Sequence, residues 1–191
     1  MADAMTEDRI TVSADKTFAH KIEKLSGQNI ALCYQCGECT AGCPVAYAAD
    51  LTPNQVIRLA QLGQEDEILK SRMVWLCVGC ETCTTRCPKG VELAKVMDAL
   101  REIAEERGVS AGEPNIKIFH ETFLRSVERA GRTHEISMLG EYKLRSLQLF
   151  SDLILGARMF LRGKLVLLPS IVKGRSEIRS IFRRTRRQDS A

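Results

Sequence analysis

Apolar residues recur at helical spacing along most of the chain, and the strict alternation typical of β-strands is nearly absent. Three stretches with this spacing predict consecutive helices: residues 53–62, about 65–76 and about 91–107. Thr52 and Gln55 form a capping box with Pro53 at the first helical position, and Gly63 and Gly108 are stop signals. The pattern therefore predicts an all-α fold, with Met73 and Met97 in the core.

A further helix is predicted from Pro114 to the residue before Gly131, with its apolar residues on one face, namely Ile116, Phe119, Phe123 and Val127. The phenylalanines are expected to lie in the helix core. Beyond about Ser137 the composition changes to a mixture of Leu, Arg and Lys. This mixture contains too many apolar residues for a free tail, so it predicts an extension that docks on another protein.

The predicted organisation has three parts: an N-terminal arm (1–24), an α-helical domain (25–110), and a helical extension with a basic tail for partner docking (111–191). The tail contains Arg183-Arg184-Thr185-Arg186-Arg187. We interpret this stretch as a solvated tail or as a contact for the acidic surface of a partner.

The composition excludes several classes of protein. The 45% apolar and 27% charged residues are typical of a folded soluble protein. The most apolar region, 147–168, is interrupted by charged residues, which predicts no transmembrane segment. Acidic residues near the N-terminus argue against a signal peptide, so we expect a cytoplasmic protein. A single tryptophan and few other aromatic residues argue against nucleic acid as a partner, and His20, His120 and His134 lack the spacing of metal ligands.

All eight cysteines lie in two short runs. The first reads Cys33-Tyr-Gln-Cys36-Gly-Glu-Cys39-Thr-Ala-Gly-Cys43-Pro44, and the second reads Cys77-Val-Gly-Cys80-Glu-Thr-Cys83-Thr-Thr-Arg-Cys87-Pro88. Each run has the C-x₂-C-x₂-C-x₃-C-P spacing of two-cluster bacterial ferredoxins. Gly37 and Gly79 allow the backbone to approach an inorganic cluster or to adopt positive φ. The pattern predicts two 4Fe-4S clusters.

In two-cluster ferredoxins the fourth cysteine of a run binds the other cluster. We therefore assign one cluster to Cys33, Cys36, Cys39 and Cys87. The other cluster is assigned to Cys77, Cys80, Cys83 and Cys43. This crossed ligation would tie the two runs together and make the clusters part of the fold.

Rival interpretations of the cysteines are weaker. Structural zinc sites use pairs of cysteines farther apart, and a disulfide framework requires an oxidising compartment. The crossed assignment uses every cysteine, and neither a catalytic residue nor a nucleotide-binding glycine motif is evident. The formal charge of +4 treats the cysteines as neutral, and two clusters with about −2 each would offset it. Nearby charges, on Glu38, Arg86 and Lys89, are expected to give the two clusters different potentials.

With these motifs, the chain resembles the C-type small iron–sulfur protein of heterodisulfide reductase. The resemblance rests on both cysteine runs, the helical connection through Trp75-Leu76, the Lys89-Gly90-Val91 that follows, and the stretch from Arg158 to Pro169. It implies an α-helical ferredoxin fold and a non-catalytic electron-transfer role. The implied partners are an A-type flavin subunit and a B-type subunit with noncubane clusters, which reduces the coenzyme M–coenzyme B disulfide in methanogenesis.

Two other electron-transfer roles stay open from the sequence. One is a subunit of the related sulfur-oxidation complex. The other is the iron–sulfur subunit of a 2-hydroxyacid or glycerol-3-phosphate dehydrogenase, although such subunits usually continue into cysteine-rich repeats that are absent here. A cluster-based sensor is less consistent with the sequence, because no DNA-binding element is evident.

Overall fold

The computed structural model describes residues 16–147, 153–163 and 172–188, in which every regular element is helical. The all-α prediction is thereby confirmed. In these residues the α-helices, numbered along the chain, are α1 (Thr17–Ser26), α2 (Glu38–Ala41), α3 (Pro53–Gln61), α4 (Glu65–Lys70), α5 (Arg72–Leu76), α6 (Thr82–Arg86), α7 (Leu93–Glu106), α8 (Pro114–Ala130), α9 (Glu135–Ser146), α10 (Leu153–Leu161) and α11 (Arg175–Gln188).

The chain forms two compact units, Met1–Glu113 and Pro114–Ala191. The first contains α1–α7 and both cysteine runs, and the second contains α8–α11. Of the predicted N-terminal arm, residues 1–15 lie outside the described residues. The rest of the arm falls within α1, which packs against α7 through the buried Phe18 and Ile22. That part of the chain contributes to the core of the first unit.

Helix α7 is the centre of the first unit. It packs against α1, α4, α5 and α6, and its apolar positions recur every three or four residues. Met97, Leu100 and Ile103 on this face are completely buried. Burying such side chains contributes about 1.5–3 kcal/mol each relative to exposure in water. Met73 of α5 is buried in the same core, so the predicted core positions of both methionines are confirmed.

Helix α3 begins and ends where its sequence signals predict. Pro53 is its first residue, and the Thr52 backbone N–H donates a 2.8 Å hydrogen bond to Oε1 of Gln55. This bond is one half of a capping box. After the helix, Gly63 has a φ of +70°, which a residue with a side chain rarely adopts. The helix therefore has local start and stop signals that do not depend on its packing.

The prediction of one helix over residues 65–76 is wrong, because the chain breaks at Ser71 into α4 and α5. Ser71 is extended and caps α5 by accepting a hydrogen bond from Met73 N. The Asp50 carboxylate accepts further hydrogen bonds from Ser71 Oγ (2.7 Å), Arg72 N (2.9 Å) and Met73 N (3.1 Å). A carboxylate at a helix N-terminus favours a new helix start. This tertiary contact produces the break.

In the second unit, α8 packs against both α9 and α11. Glu141 of α9 forms ion pairs with Arg125 (2.6 Å) and Arg129 (2.8 Å) of α8. Arg186 of α11 pairs with Glu128 of α8 at 2.7 Å. The arginine-rich stretch 183–187, predicted as a tail, therefore lies within α11, and its Arg186 contacts α8.

The apolar face predicted for α8 is not its buried face. The buried residues are Thr122 and Ser126, whereas Phe119 and Phe123 are 39% and 40% exposed. The prediction that the phenylalanines lie in the core is thus confirmed for Phe18 and wrong for these two, and it is also wrong for Phe160 of α10, which is 53% exposed. Small side chains at Thr122 and Ser126 allow neighbouring helices to approach closely, and helical periodicity alone does not reveal which face does this.

Candidate functional site

The two cysteine runs have matching local structures. Cys33 follows a short 3₁₀ turn, and the first run continues into α2, which carries Cys39. Cys77 follows α5 directly, and the second run continues into α6, which carries Cys83. In both runs the fourth cysteine follows the short helix and precedes a proline. The sequence repeat is therefore also a structural repeat.

Four residues in the cysteine loops have a left-handed backbone. Gly37 and Gly79 have φ values of +82° and +61°, as predicted, and Gln35 and Glu81 have φ values of +65° and +58°. The positive φ values of Gln35 and Glu81 were not predicted. Aligning the runs would have found them, because Gln35 corresponds to Gly79 and Gly37 corresponds to Glu81. Left-handed residues in such loops point backbone N–H groups inward, which forms an anion-binding nest.

Helices α2 and α6 pack against each other and bring the two runs together. A Cβ atom at Gly42 would lie 2.6 Å from Cδ and Nε of Arg86, so the arginine side chain covers the position before Cys43. Lys89, after the second run, places Nζ 5.8 Å from the ring centroid of Tyr34 in the first. The side chains around each run therefore come partly from the other.

Cys43 of the first run lies beside the first three cysteines of the second. Together with Cys77, Cys80 and Cys83 it lines one small cavity. The remaining lining is mostly apolar and includes Val45, Met73, Leu93 and Met97. Among the described residues, no three Cys, His, Asp or Glu side chains are placed to hold a single metal ion.

The surroundings of the other four cysteines are seen in the electrostatic effects on Tyr34 and Cys39. The pKa of Tyr34 is raised by desolvation, by Cys36 and also by Cys87. Cys87 at the end of the second run therefore lies close to the first loop. Its sulfur also accepts a hydrogen bond from Val91 N at 3.3 Å. The pKa of Cys39 is raised mainly by burial and in smaller part by Cys33 and by Cys83 of the second run.

The thiol environments differ in the second loop. Burial raises the pKa of Cys77 and Cys83, although backbone hydrogen bonds from Gly79 and Thr84 oppose this effect. Cys80 is exposed, and hydrogen bonds with Thr82 lower its pKa. Because iron binds the thiolate, a buried cysteine requires hydrogen bonds or positive charge to compensate for desolvation.

The eight thiols fit iron–sulfur clusters by their chemistry. Thiolate sulfur is the usual protein ligand of 4Fe-4S clusters, and left-handed loops supply N–H donors to cluster sulfur atoms. The three histidines take no part: His20 is exposed and pairs with Glu23, His120 is exposed, and His134 caps α9 by accepting from Ser137 N. In the described residues, no helix is long and apolar enough to cross a membrane.

Comparison with known proteins supports this chemistry. Residues 29–91 match the family model of the 4Fe-4S dicluster domain. This domain and the eight cysteines together fit two 4Fe-4S clusters, and the predicted cofactors are confirmed.

Curated relatives carry names from one enzyme complex. The C-type component of the H(2):CoB-CoM heterodisulfide,ferredoxin reductase of Methanothermobacter thermautotrophicus is 36% identical over 97 residues, covering 51% of this chain and 52% of that protein. The iron-sulfur component, also C-type, of the CoB--CoM heterodisulfide reductase of Methanopyrus kandleri is 39% identical over 83 residues, covering 44% and 43%. A protein of Archaeoglobus profundus, named for its likeness to the same heterodisulfide reductase component, is 33% identical over 106 residues, covering 54% and 56%.

The matched part of the chain spans about half the length of these curated relatives. The resemblance to the C-type iron–sulfur proteins of heterodisulfide reductase that the motifs indicate is confirmed by these similarities.

Proposed function

We propose that this chain is the electron-transfer subunit of a heterodisulfide reductase complex. It would relay electrons from an A-type flavin subunit to a B-type subunit that reduces the coenzyme M–coenzyme B disulfide in methanogenesis. The names of the similar proteins support this role. The chemistry itself would take place on the partner subunits, because the crossed assignment leaves no cysteine of this chain for a substrate.

The position of Cys43 is the observation on which this proposal rests. It lines one cavity with Cys77, Cys80 and Cys83, whereas Cys87 lies close to the first loop through Tyr34. These contacts support crossed ligation, with Cys33, Cys36, Cys39 and Cys87 on one cluster and the other four cysteines on the second. If each cluster takes ligands from both loops, the two clusters would lie close together, as an electron relay requires.

The residues of this chain would bind and insulate the clusters. A bound 4Fe-4S cluster supplies one-electron chemistry. Met73, Leu93 and Met97 would exclude water from one side of the second site. Cys36 and Cys80 are exposed, so each loop reaches the protein surface at its second cysteine. Electrons would enter and leave at these two exposed edges.

The second unit is proposed to dock on the partner subunits. Residues 114–191 contain 16 basic and 7 acidic side chains, which gives a net charge of +9. In α10 the apolar residues Ile154, Leu155, Phe160 and Leu161 are exposed to solvent. Exposed apolar side chains next to arginines support a role in protein–protein contact.

Paired cysteine variants test the crossed ligation. We compare Cys43→Ala/Cys80→Ala with Cys36→Ala/Cys43→Ala, each made in the full chain and purified without oxygen. Under crossed ligation the first pair damages one cluster, and iron falls from about eight to about four atoms per chain. The second pair damages both clusters, and iron falls close to zero. The opposite ranking would show that each run binds its own cluster.

Purification with native partners tests the biological role. Anaerobic isolation of the tagged chain from its own cells should recover a flavoprotein and a subunit with noncubane clusters. Recovery with a sulfur-oxidation complex, with a dehydrogenase, or with only a membrane quinone-reducing subunit would contradict the proposed role. EPR spectra of the reduced protein should show two interacting 4Fe-4S clusters.

A further inference from the structure

The chain entering each cysteine loop is held by the next long helix through the same pair of hydrogen bonds. In the first loop, Gln61 Nε2 donates to the carbonyl oxygens of Ile30 (2.8 Å) and Cys33 (3.1 Å). Ile30 lies three residues before the first cysteine of the run. The Ile30 carbonyl oxygen also accepts from the Cys33 backbone N–H within the 3₁₀ turn (3.2 Å), so the glutamine bond adds to the turn's own hydrogen bond.

In the second loop the corresponding bonds come from an arginine. Arg101 Nε donates to the carbonyl oxygen of Val74 at 2.8 Å, and its Nη2 donates to that of Cys77. Val74 again lies three residues before the first cysteine. Gln61 is the ninth residue of α3, and Arg101 is the ninth residue of α7. The two residues are therefore equivalent in position and in hydrogen bonding, but only one carries a charge.

Each of these residues also has a charged neighbour three positions earlier on its helix. Arg58 donates to Oε1 of Gln61 at 3.2 Å, and Asp98 accepts from Nη1 of Arg101 at 2.9 Å. Both neighbours are exposed, and the Asp98 side chain is 72% exposed. The Arg101 side chain is only 20% exposed. Solvent and salt screen exposed charges strongly. Arg101 therefore has a larger electrostatic effect on its cysteine loop than the exposed Asp98 and Arg58 have on theirs.

Charge next to a cluster changes how readily it accepts an electron. A reduced cluster is more negative than an oxidised one, so a fixed positive charge stabilises the reduced form and raises the potential. Arginine retains its charge at all ordinary pH values. The neutral amide of Gln61 makes the equivalent two hydrogen bonds to the backbone, so it holds its loop without raising the potential of the cluster.

We propose that the Gln61/Arg101 pair makes the site containing Cys77 more easily reduced than the site containing Cys33. An electron released at the Cys33 site is then accepted at the Cys77 site, which gives the relay its direction. Arg101 acts as a positioning residue that also tunes the potential. This inference rests on the proposed relay, in which Cys33 and Cys77 bind different clusters.

An EPR-monitored redox titration of the anaerobically purified full chain tests the pair. The wild type should show two different midpoint potentials. Arg101→Gln should lower the higher potential toward the lower one, because glutamine can keep the carbonyl bonds without the charge. The transplant Arg58→Asp/Gln61→Arg should raise the lower potential. Equal potentials in the wild type, or potentials that do not change in Arg101→Gln, would overturn the inference.

Two further variants separate charge from structure. Arg101→Lys retains the positive charge and should leave the potentials close to those of the wild type. Asp98→Asn removes an exposed negative charge and should raise the higher potential by less than Arg101→Gln lowers it. A fall in potential in Arg101→Lys as large as in Arg101→Gln, with iron unchanged, would assign the effect to the hydrogen bonds and overturn the role of charge.

Iron content distinguishes failure of this inference from failure of the proposed ligation. Every variant of the pair should retain about eight iron atoms per chain, since no cysteine is altered. If the paired cysteine variants support crossed ligation while Arg101→Gln leaves both potentials unchanged, only the tuning inference fails. If the ligation is uncrossed, Cys33 and Cys77 still bind different clusters and the titration remains decisive.

Discussion

The two cysteine loops have the same left-handed backbone conformation at equivalent positions, although different residues adopt it. Positive φ occurs at the third and fifth positions of both runs, where the first run has Gln35 and Gly37 and the second has Gly79 and Glu81. The left-handed conformation is therefore common to both loops, whereas the residue type at each position is not. A glycine at one position per loop is compatible with a strained residue at the other.

The loops differ more in how the chain reaches them. The second loop follows α5, and the start of this helix depends on Asp50. The backbone that joins α4 to α5, at Ser71, lies against Gly112. The first loop follows only a 3₁₀ turn capped by Asn29. Both loops are held by a later helix, but only the second is entered by a helix whose start depends on contacts distant in sequence, and substitutions in these contacts should affect the second loop selectively.

Gly112→Ala should have the largest effect on stability. A Cβ there would lie 2.5 Å from the Lys70 carbonyl oxygen and 2.7 Å from Arg72 N, both backbone atoms that have little room to move. Overpacking of this kind costs about 1–3 kcal/mol. Thermal unfolding without oxygen should show a lower Tm, and the EPR signal of the cluster at Cys77 should disappear first on heating.

Gly140→Ala is the matched control for this prediction. Gly140 lies within α9, and a Cβ there would have no atom within 4 Å. Alanine in a helix is favoured over glycine by about 0.5–1 kcal/mol, so Tm should stay the same or rise. A fall in Tm as large as that of Gly112→Ala would remove the steric explanation.

Asp50→Ala should have an intermediate effect. It removes the acceptor for the backbone N–H groups of Arg72 and Met73 at the start of α5. Loss of such a cap costs about 0.5–2 kcal/mol. The lower Tm should be accompanied by an earlier loss of the cluster at Cys77 than of the cluster at Cys33. Glu102→Gln, which alters an exposed acid in the middle of α7, should leave both clusters unaffected.

The pKa of Asp50 determines how this effect depends on pH. Burial raises the pKa, but hydrogen bonds from Arg72, Ser71, Leu51 and Met73 outweigh it and lower the pKa below its ordinary value. A lowered folded-state pKa contributes stability that is present above the unfolded-state pKa and lost as pH falls through the folded-state pKa. The Tm difference between the wild type and Asp50→Ala should therefore be constant between about pH 6 and 8.

Glycine at the strained positions should have the smallest effect. Glu81→Gly relieves a left-handed backbone and should stabilise the protein by about 0.5 kcal/mol after the entropy cost of glycine. Gln35→Gly also loses hydrogen bonds from Gln35 Nε2 to Cys33 Sγ (3.4 Å) and from Asn54 Nδ2 (3.2 Å). Its Tm should stay equal or fall. If Glu81→Gly lowered Tm as well, the side chain would have a role beyond the backbone conformation.

Local signals predicted much of the fold. The capping box of α3, the stop at Gly63 and the start of α8 at Pro114 are confirmed, because each depends on residues within a few positions. The break at Ser71 was not predictable in this way. It depends on Asp50, which lies about 20 residues earlier and contacts the helix start only in the folded chain.

The candidate site was predictable in its chemistry and less so in its surroundings. The cysteine spacing indicated two 4Fe-4S clusters, and Gly37 and Gly79 indicated the left-handed turns. Arg101 and Gln61 were not singled out, because a lone arginine or glutamine on a helix has no spacing that connects it to a cysteine loop. Only the packing of α3 and α7 places their side chains at the loops.

The sequence by itself determined the kind of protein: an all-α chain whose two C-x₂-C-x₂-C-x₃-C-P runs bind two 4Fe-4S clusters. Ligand type, spacing and helix signals are local properties, and local properties can be read from sequence. The tertiary structure decided which side chains meet, including Cys43 with the second loop, Asp50 with the start of α5, and Arg101 with Cys77. These contacts join distant segments, so they exist only once the helices pack.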